Sequence, residues 1–181
     1  MGFGFRNGAA LVLRFAHQDD LPFLKWMLYE ACYPESGPRP PFEKGISKPD
    51  VAVYLDGWVR KGDAGLIVAT DVGGPMGAAW YRLFTADAPG YAFIDEKTPE
   101  AAIALVFEAR GRGLGTDLMR NLMSLANKQG HQKMSLGVED INPKARKFYE
   151  RLGFEEVAHK DDGVIMVADL TKPIPNPKAQ G

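Results

Sequence analysis

The sequence feature that most constrains the fold is a glycine-rich stretch, Arg110-Gly-Arg-Gly-Leu-Gly-Thr116. An apolar run, 101–107, precedes it, and apolar residues at helical spacing follow it. We therefore predict a turn from a β-strand into the N-terminus of an α-helix. The first N–H groups of such a helix are unpaired and its dipole is positive there, so the turn suits a phosphate or pyrophosphate. Taken alone, the stretch also fits a tight turn that binds no ligand.

The length and composition of the chain fit one domain with its own core. With 181 residues the chain is short for two domains, and we expect a single domain over residues 1–172. The Pro-rich segment 173–181 has little apolar surface to bury, so we expect it to be poorly ordered. The lone cysteine, Cys32, excludes an internal disulfide and any zinc site built from several cysteines.

The charge and hydropathy of the chain limit its partners. The formal net charge is -1, which gives no support to a nucleic-acid or membrane partner, since both favour a basic patch. No run approaches the ~20 apolar residues that span a bilayer. The histidines show no metal-ligand spacing, so we expect no metal. These observations predict a cytoplasmic protein that binds neither nucleic acid nor a membrane.

Hydrophobic periodicity predicts about seven strands and four helices. The strands are expected over 10–16, 64–71, 76–84, 101–107, 133–138, 154–160 and 164–170. The helices are expected over 20–32, 47–61, 114–129 and 142–153, with long loops over 34–46 and 85–99. Helices packed on the faces of one mixed sheet place the chain in the α/β or α+β class.

Two motifs, separated by one predicted helix and one predicted strand, resemble those of a known family. The first is Ile103-Ala-Leu-Val-Phe-Glu-Ala-Arg-Gly-Arg-Gly-Leu-Gly115, and the second is Asn142-Pro-x-Ala145-x-x-Phe148-Tyr149-x-x-x-Gly153-Phe154. Together with a looser N-terminal match, Arg14-x-Ala-x-x-x-Asp20-Leu-Pro, they are similar to the GNAT superfamily of acetyl-CoA-dependent N-acetyltransferases. Phe107 departs from the pattern, since many relatives have proline there, and we interpret it as a packing variant.

The resemblance implies a mixed, mostly antiparallel sheet that splays between its fourth and fifth strands. It also implies acetyl-CoA as co-substrate. The backbone of Leu105 and Val106 would pair with the pantetheine arm in the splay. The implied pyrophosphate cradle consists of Arg110, Gly111, Arg112, Gly113, Gly115 and Thr116. Asn142 would contact CoA, cap the fourth helix, or do both, and Lys144 is the candidate for the 3′-phosphate unless it only lies on a solvated face.

The catalytic candidates also follow from the resemblance. Tyr149 matches the tyrosine that hydrogen-bonds the CoA sulfur and acts as general acid; the alternative is an aromatic core residue. Glu100, at the start of the central strand, is the best single candidate for the general base. Glu139, Asp140 and a water chain are its rivals, and the resemblance does not decide among them.

The resemblance implies direct transfer of the acetyl group to a primary amine of a small molecule or peptide. Cys32 is far in sequence from the CoA motifs, so we expect no acyl-cysteine. The alternative is a CoA-binding sensor or structural module that has the fold without the turnover. The acceptor's identity, the length of the acyl group and the assembly state, a homodimer included, stay open.

Overall fold

An eight-stranded sheet forms the centre of the molecule in the computed structural model, which describes residues 3–4, 10–34, 37–71 and 73–177. The strands are β1 (Phe3–Gly4), β2 (Ala10–Phe15), β3 (Ala64–Thr70), β4 (Pro75–Arg82), β5 (Glu100–Leu105), β6 (Lys133–Glu139), β7 (Phe154–Lys160) and β8 (Gly163–Asp169). Their order in the sheet is β1-β2-β3-β4-β5-β6-β8-β7. The seven longer strands are those that periodicity predicts, and β1 is a two-residue addition at one edge.

The described residues form five α-helices. They are α1 (Leu21–Cys32), α2 (Phe42–Ile46), α3 (Pro49–Ala52), α4 (Leu114–Lys128) and α5 (Pro143–Glu150).

The prediction of a single second helix over 47–61 is wrong, and so is the prediction that 34–46 is entirely loop. Helix α2 occupies the end of that loop, and Lys48, held extended (φ -62, ψ 134) by the proline that follows it, separates α2 from α3. Helix α3 stops at Ala52, and a series of turns continues to Val59. Gly57 and Val59 there have positive φ angles, of 62° and 68°, which a helix does not allow.

The predicted splay of the sheet is confirmed between β5 and β6, the fourth and fifth of the seven longer strands. All other neighbouring strands pair antiparallel, β1 and β2 over two residues and the rest over longer stretches. Strands β5 and β6 run parallel and pair only at Glu100 and Ser135. Beyond that pair the two strands separate, which leaves the later residues of β5 without a sheet partner on that side.

Each face of the sheet carries a hydrophobic core. The larger core lies under α4, which contributes Leu114, Leu118, Met119, Leu122, Met123 and Ala126. The smaller core lies under α1 and α3 and includes Trp58, Trp80 and Phe84. In β5, Ala101, Ile103 and Leu105 face the larger core, whereas Ala102 and Ala104 face the smaller one. Because residues alternate along a strand, Glu100 also faces the side of α1 and α3.

A fully buried arginine ties the turn after α3 to the sheet. The Arg82 guanidinium donates to both carboxylate oxygens of Asp63, at 2.8 and 2.6 Å. It also donates to the carbonyl oxygens of Val53 and Asp56, at 2.7 and 2.8 Å. These two carbonyls flank Tyr54, so the ion pair fixes the backbone that carries this tyrosine.

The C-terminal segment, expected to be poorly ordered over 173–181, lies partly outside the described residues. Within its described part, Ile174 packs against the larger core. The side chain of Pro175 lies close to Gly153, since a Cβ atom there would be 3.2 Å from Pro175 Cδ.

Candidate active site

The glycine-rich loop connects the end of β5 to the N-terminus of α4, as the sequence predicts. Gly111 and Gly113 have φ angles of 72° and 77°, in the left-handed region that only glycine adopts at little cost. Gly113 is the N-cap of α4, so no side chain at that position can satisfy the first N–H groups of the helix. The loop therefore presents backbone donors at the positive end of a helix dipole, beside the exposed residues Gly111 and Arg112.

Arg110 connects this loop to the first helix. Its Nε donates to the carbonyl oxygen of Leu105 at 3.1 Å, and its terminal nitrogen donates to Glu30 Oε2, also at 3.1 Å. Glu30 accepts a second hydrogen bond, from Arg39 at 2.6 Å. Burial opposes the ionisation of Glu30, but the hydrogen bond and charge of Arg39, with the charge of Arg110, outweigh it and lower the pKa of Glu30. The exposed ring of Phe107 lies under the Arg110 guanidinium, 5.8 Å from ring centroid to Cζ.

The two sequence motifs meet in space at Gly115, in the first turn of α4. A Cβ atom at Gly115 would lie 3.5 Å from Phe148 Cζ and 3.6 Å from Leu105 Cδ1. The end of β5, the start of α4 and helix α5 are therefore in contact. Thr116 is partly buried in the same turn of α4. The structure brings together the residues of the implied pyrophosphate cradle, the pantetheine strand and the helix that carries Tyr149.

Tyr149 packs among aromatic rings on the side of the larger core. Its ring centroid lies 5.1 Å from that of Phe148 and 5.7 Å from that of Phe154, both in edge-on arrangements. Burial raises the pKa of Tyr149, so its hydroxyl keeps its proton at neutral pH. A general acid needs this protonated form, and a purely structural tyrosine would have it as well.

The remaining candidates for binding the cofactor differ in whether their polar groups already form hydrogen bonds within the protein. Asn142 caps α5, since its Oδ1 accepts from the N–H of Ala145 at 3.1 Å. Lys144 is exposed at the start of the same helix. The N–H of Val106 donates to the Met76 carbonyl at 2.9 Å, and its carbonyl accepts from Ala109 at 3.0 Å. The main-chain groups of Val106 are thus used within the chain, whereas Leu105 is the residue whose carbonyl faces Arg110.

Glu100 is a buried carboxylate with one held oxygen and one unpaired oxygen. The residue is 2% exposed, at the point where β5 and β6 begin to separate. Its Oε1 accepts a very short hydrogen bond from the Tyr54 hydroxyl and a second from the Ala92 N–H at 3.0 Å. Its Oε2 is buried without a partner among the described residues and lies against Gly90, where a Cβ atom would overlap it. Burial raises the pKa of Glu100 despite these hydrogen bonds.

A second buried polar atom lies beside Glu100. Ser135, its partner in β6, is fully buried, and its Oγ has no hydrogen-bond partner among the described residues. Because paired residues of adjacent strands point to the same face, the two side chains lie on the side of α1 and α3. Unpaired buried polar atoms are rare in native proteins and commonly mark a site for water or a ligand.

Cys32 lies near this carboxylate, although the two are far apart in sequence. Burial raises the pKa of the Cys32 thiol to about 12, and the negative charges of Glu139, Asp50 and Glu100 add to the effect. A thiol in this environment stays protonated at neutral pH and is a poor nucleophile. The chemistry of its surroundings, rather than its distance in sequence, thus argues against an acyl-cysteine.

The rival bases lie at the end of β6, closer to solvent. Glu139 is exposed, and partial burial of its carboxylate together with the charge of Asp162 raises its pKa. Asp140 Oδ2 lies 3.0 Å from His159 Nε2, which gives this carboxylate a partner at the surface.

The partners of Glu100 have no signal in the sequence. Tyr54 lies within the helix predicted over 47–61, and it is 46 residues from Glu100. The Ala92 N–H belongs to the region predicted as a loop over 85–99. A main-chain donor in an irregular loop has no sequence signature.

Two further properties concern the whole described part of the chain. No group of three or more histidine, cysteine, aspartate or glutamate side chains in residues 3–4, 10–34, 37–71 and 73–177 is arranged to hold a metal ion. Over the same ranges, every helix is too short or too polar to cross a membrane.

Comparison with known proteins identifies related sequences. The model of the acetyltransferase (GNAT) family matches residues 26–154. An uncharacterized N-acetyltransferase from Methanocaldococcus jannaschii is 42% identical over 64 residues, which are 34% of this chain and 28% of that protein. The N-alpha-acetyltransferase 30 of Schizosaccharomyces pombe is 41% identical over 54 residues, 30% of this chain and 36% of that protein. The matches thus span less than half of these relatives' lengths.

Solved structures share the fold over nearly the whole chain. The GNAT domain of an S. lividans protein named PAT superposes with a TM-score of 0.67 at 20% identity, over 93% of this chain and 96% of that one. A spermidine N-acetyltransferase chimera from Vibrio cholerae and a protein named hSSAT superposes with a TM-score of 0.63 at 21% identity, over 89% and 96% of the two chains. A Salmonella typhimurium acetyltransferase solved with acetyl-CoA gives a TM-score of 0.64 at 19% identity, over 92% and 98%.

Proposed function

Because the chain belongs to the GNAT acetyltransferase family, we propose that it transfers the acetyl group of acetyl-CoA directly to a primary amine of a small molecule or peptide. The observation that carries the proposal is the meeting of the glycine-rich loop, the end of β5 and helix α5 at Gly115. The proposal is supported by the splay between β5 and β6, which begins at the buried carboxylate of Glu100 and has the end of β5 at its edge. A cytoplasmic location and the absence of nucleic-acid and membrane partners belong to the same proposal.

The residues that would hold acetyl-CoA surround the mouth of the splay. The backbone N–H groups from Gly111 to Thr116 would bind the pyrophosphate, aided by the positive charge of Arg112. Leu105 would pair with the amides of the pantetheine arm as a neighbouring strand does, because β6 has separated from β5 at that position. Asn142 and Lys144 lie at the start of α5, within the second motif, and are the further candidates. When bound, acetyl-CoA supplies a thioester that an amine can attack.

The chain must provide a base for the amine and an acid for the departing sulfur. A free alkyl amine has a pKa of about 10.4, so most of it is protonated and unreactive at neutral pH. We propose that Glu100 accepts the amine proton, and that Tyr149 donates a proton to the sulfur. Because Glu100 is 2% exposed, we propose that an intervening water carries the proton to it.

Glu100 is preferred over Glu139 and Asp140 for reasons of position and environment. Burial raises the pKa of Glu100 towards the operating pH, which favours proton transfer, but Glu139 shares a raised pKa. Glu100 differs from Glu139 in position, because it is buried where β5 and β6 begin to separate. Its Oε2 has no hydrogen-bond partner in the part of the chain that the structure describes, whereas Asp140 has His159 as a partner. Glu139 is exposed, and it serves as the matched comparison in the experiment below.

The experiment is an acceptor screen that measures thiol release from acetyl-CoA with polyamines, amino acids, aminoglycosides and peptide N-termini. Acetylated product, identified by mass spectrometry, with at least one amine is the expected result. Glu100→Gln should then lower kcat/KM for that amine by about 100-fold or more, and Glu139→Gln by much less. Binding of acetyl-CoA without thiol release for any amine would contradict the proposal and indicate a CoA sensor instead.

A further inference from the structure

We propose that Tyr54 is a positioning residue, which holds Glu100 through Oε1 and so leaves Oε2 as the oxygen that receives the proton of the acceptor amine. This inference rests on the proposed function. It assigns different roles to the two oxygens of one carboxylate, and it connects the turn after α3 to the chemistry at the start of β5.

The asymmetry of the Glu100 carboxylate supports this assignment. Two donors from different parts of the chain, the Tyr54 hydroxyl and the Ala92 N–H, converge on Oε1. Oε2 has no donor among the described residues, and it lies in the space that the missing side chain of Gly90 leaves. A carboxylate held in this way cannot exchange its two oxygens by rotation without breaking both hydrogen bonds.

Tyr54 is itself held on several sides, as a positioning residue must be. Its hydroxyl oxygen accepts from the Tyr91 N–H at 3.1 Å while its proton is donated to Glu100. Its ring packs edge-on against Phe84, with centroids 5.3 Å apart. The carbonyls on either side of it are bound by the buried Arg82 guanidinium. The hydroxyl is therefore directed at Oε1 before any substrate binds.

The groups that face Glu100 determine the sign of the expected effect. Burial favours the neutral carboxyl and is the largest influence, whereas the hydrogen bonds from Tyr54 and Ala92 and the charge of Lys160 favour the carboxylate. Cys32, on which the charge of Glu100 also acts, keeps its proton, and Tyr91 contributes its N–H to Tyr54. Removal of the Tyr54 hydroxyl therefore raises the pKa of Glu100 further.

The proton moves without any change at Tyr54. As the acceptor nitrogen forms its bond to the acetyl carbon, its N–H bond breaks and the electron pair stays on nitrogen. The released proton reaches Oε2 through the intervening water, and the bond between the acetyl carbon and sulfur breaks with its electrons leaving on sulfur. Burial and the charge of Glu100 raise the pKa of Tyr54, so this tyrosine remains a neutral donor throughout.

The test is the pH profile of kcat/KM for Tyr54→Phe, which keeps the ring and removes the donor. The acidic limb should move to higher pH by about one to two units, the size expected for the loss of a hydrogen bond to a charged group. The KM for acetyl-CoA should stay within about twofold of the wild-type value, because Tyr54 is not one of the residues proposed to bind the cofactor. Tyr81→Phe is the matched control, since Tyr81 is also buried and donates to a side chain, Gln129, on the other face. Its acidic limb should not move.

A second readout does not depend on turnover. In protein labelled with ¹³C at glutamate side chains, the Glu100 carboxyl resonance, identified by its loss in Glu100→Gln, should titrate at higher pH in Tyr54→Phe than in wild type. An unchanged midpoint would overturn the inference. So would an acidic limb that moves while the Glu100 midpoint does not. A wild-type protein that acetylates no amine would instead refute the proposed function, and the titration would still decide the role of Tyr54.

If Tyr54→Phe does not fold, a second substitution tests the inference through a pH shift in the opposite direction. Incorporation of 3-fluorotyrosine at position 54 keeps the ring and makes the hydroxyl a stronger donor. The acidic limb and the Glu100 midpoint should then move to lower pH. A shift to higher pH, or none, would contradict the inference.

Discussion

At the scale of single residues, four glycines shape the candidate site, two by leaving space for neighbouring side chains and two by their backbone conformation. Gly90 leaves the space that Oε2 of Glu100 occupies, and Gly115 allows Phe148 and Leu105 to approach the first turn of α4. Gly111 and Gly113 instead provide the left-handed backbone of the loop. The sequence predicts the last three from their motif. It gives no indication of Gly90, because the contact is with a residue whose side chain reaches it only in the folded chain.

Gly90→Ala tests this close packing. The added Cβ would overlap Glu100 Oε2 and lie 2.8 Å from Phe84 Cε2, so the 85–99 loop must shift. We expect a loss of about 1–3 kcal/mol in the free energy of unfolding, measured by urea denaturation, and a lower kcat/KM. Gly74→Ala is the control, since nothing lies within 4 Å of a Cβ there. Equal stability of the two variants would contradict the packing described around Glu100.

At the scale of secondary-structure elements, the site depends on the turn between α3 and β3 as much as on the motif-bearing helices. The buried pair of Arg82 and Asp63 holds this turn against β4, and the turn carries Tyr54. Periodicity predicts a continuous helix over 47–61 instead. The prediction failed because the apolar spacing of Val51, Tyr54, Leu55 and Trp58 fits a helix and also fits turns packed on the same core.

Asp63→Asn should destabilise the protein by about 3 kcal/mol or more, because it leaves the Arg82 charge buried without a counter-charge. The measurement is the free energy of unfolding from chemical denaturation. Glu150→Gln removes the exposed pair with Arg146 and should change that free energy by less than about 1 kcal/mol. If the two variants were equally stable, the buried pair would not hold the turn as described.

At the scale of the whole molecule, periodicity predicted the seven longer strands and the loop that begins α4, and the family resemblance implied the splay. These predictions rest on local signals, namely periodicity and the two spaced motifs that carry the resemblance. The network of Glu100, Tyr54, Ala92 and Ser135 has no such signal, since its members come from four separate parts of the chain. The sequence therefore predicted the implied cofactor site in more detail than the surroundings of Glu100.

The raised pKa of Glu100 makes the stability of the whole protein depend on pH. A group whose folded pKa is raised contributes stability that is fully present below its unfolded pKa, about 4.3 for glutamate, and lost as pH rises through its folded pKa. Relative to Glu100→Gln, the wild type should therefore lose free energy of unfolding as pH rises through that window. Urea denaturation of both proteins between pH 4 and 8 measures the difference. Parallel curves would show that Glu100 is not buried as described.

The most direct test of the central claim, that the glycine-rich loop binds acetyl-CoA, is calorimetric titration of acetyl-CoA into wild type and Gly113→Glu. The variant places a negative side chain at the N-cap of α4, where the pyrophosphate would lie, so we expect binding to be lost. Gly130→Glu is the matched control, because Gly130 also has a positive φ, 92°, but lies beyond the opposite end of α4. It should bind acetyl-CoA as the wild type does. Undiminished binding by folded Gly113→Glu would contradict the account.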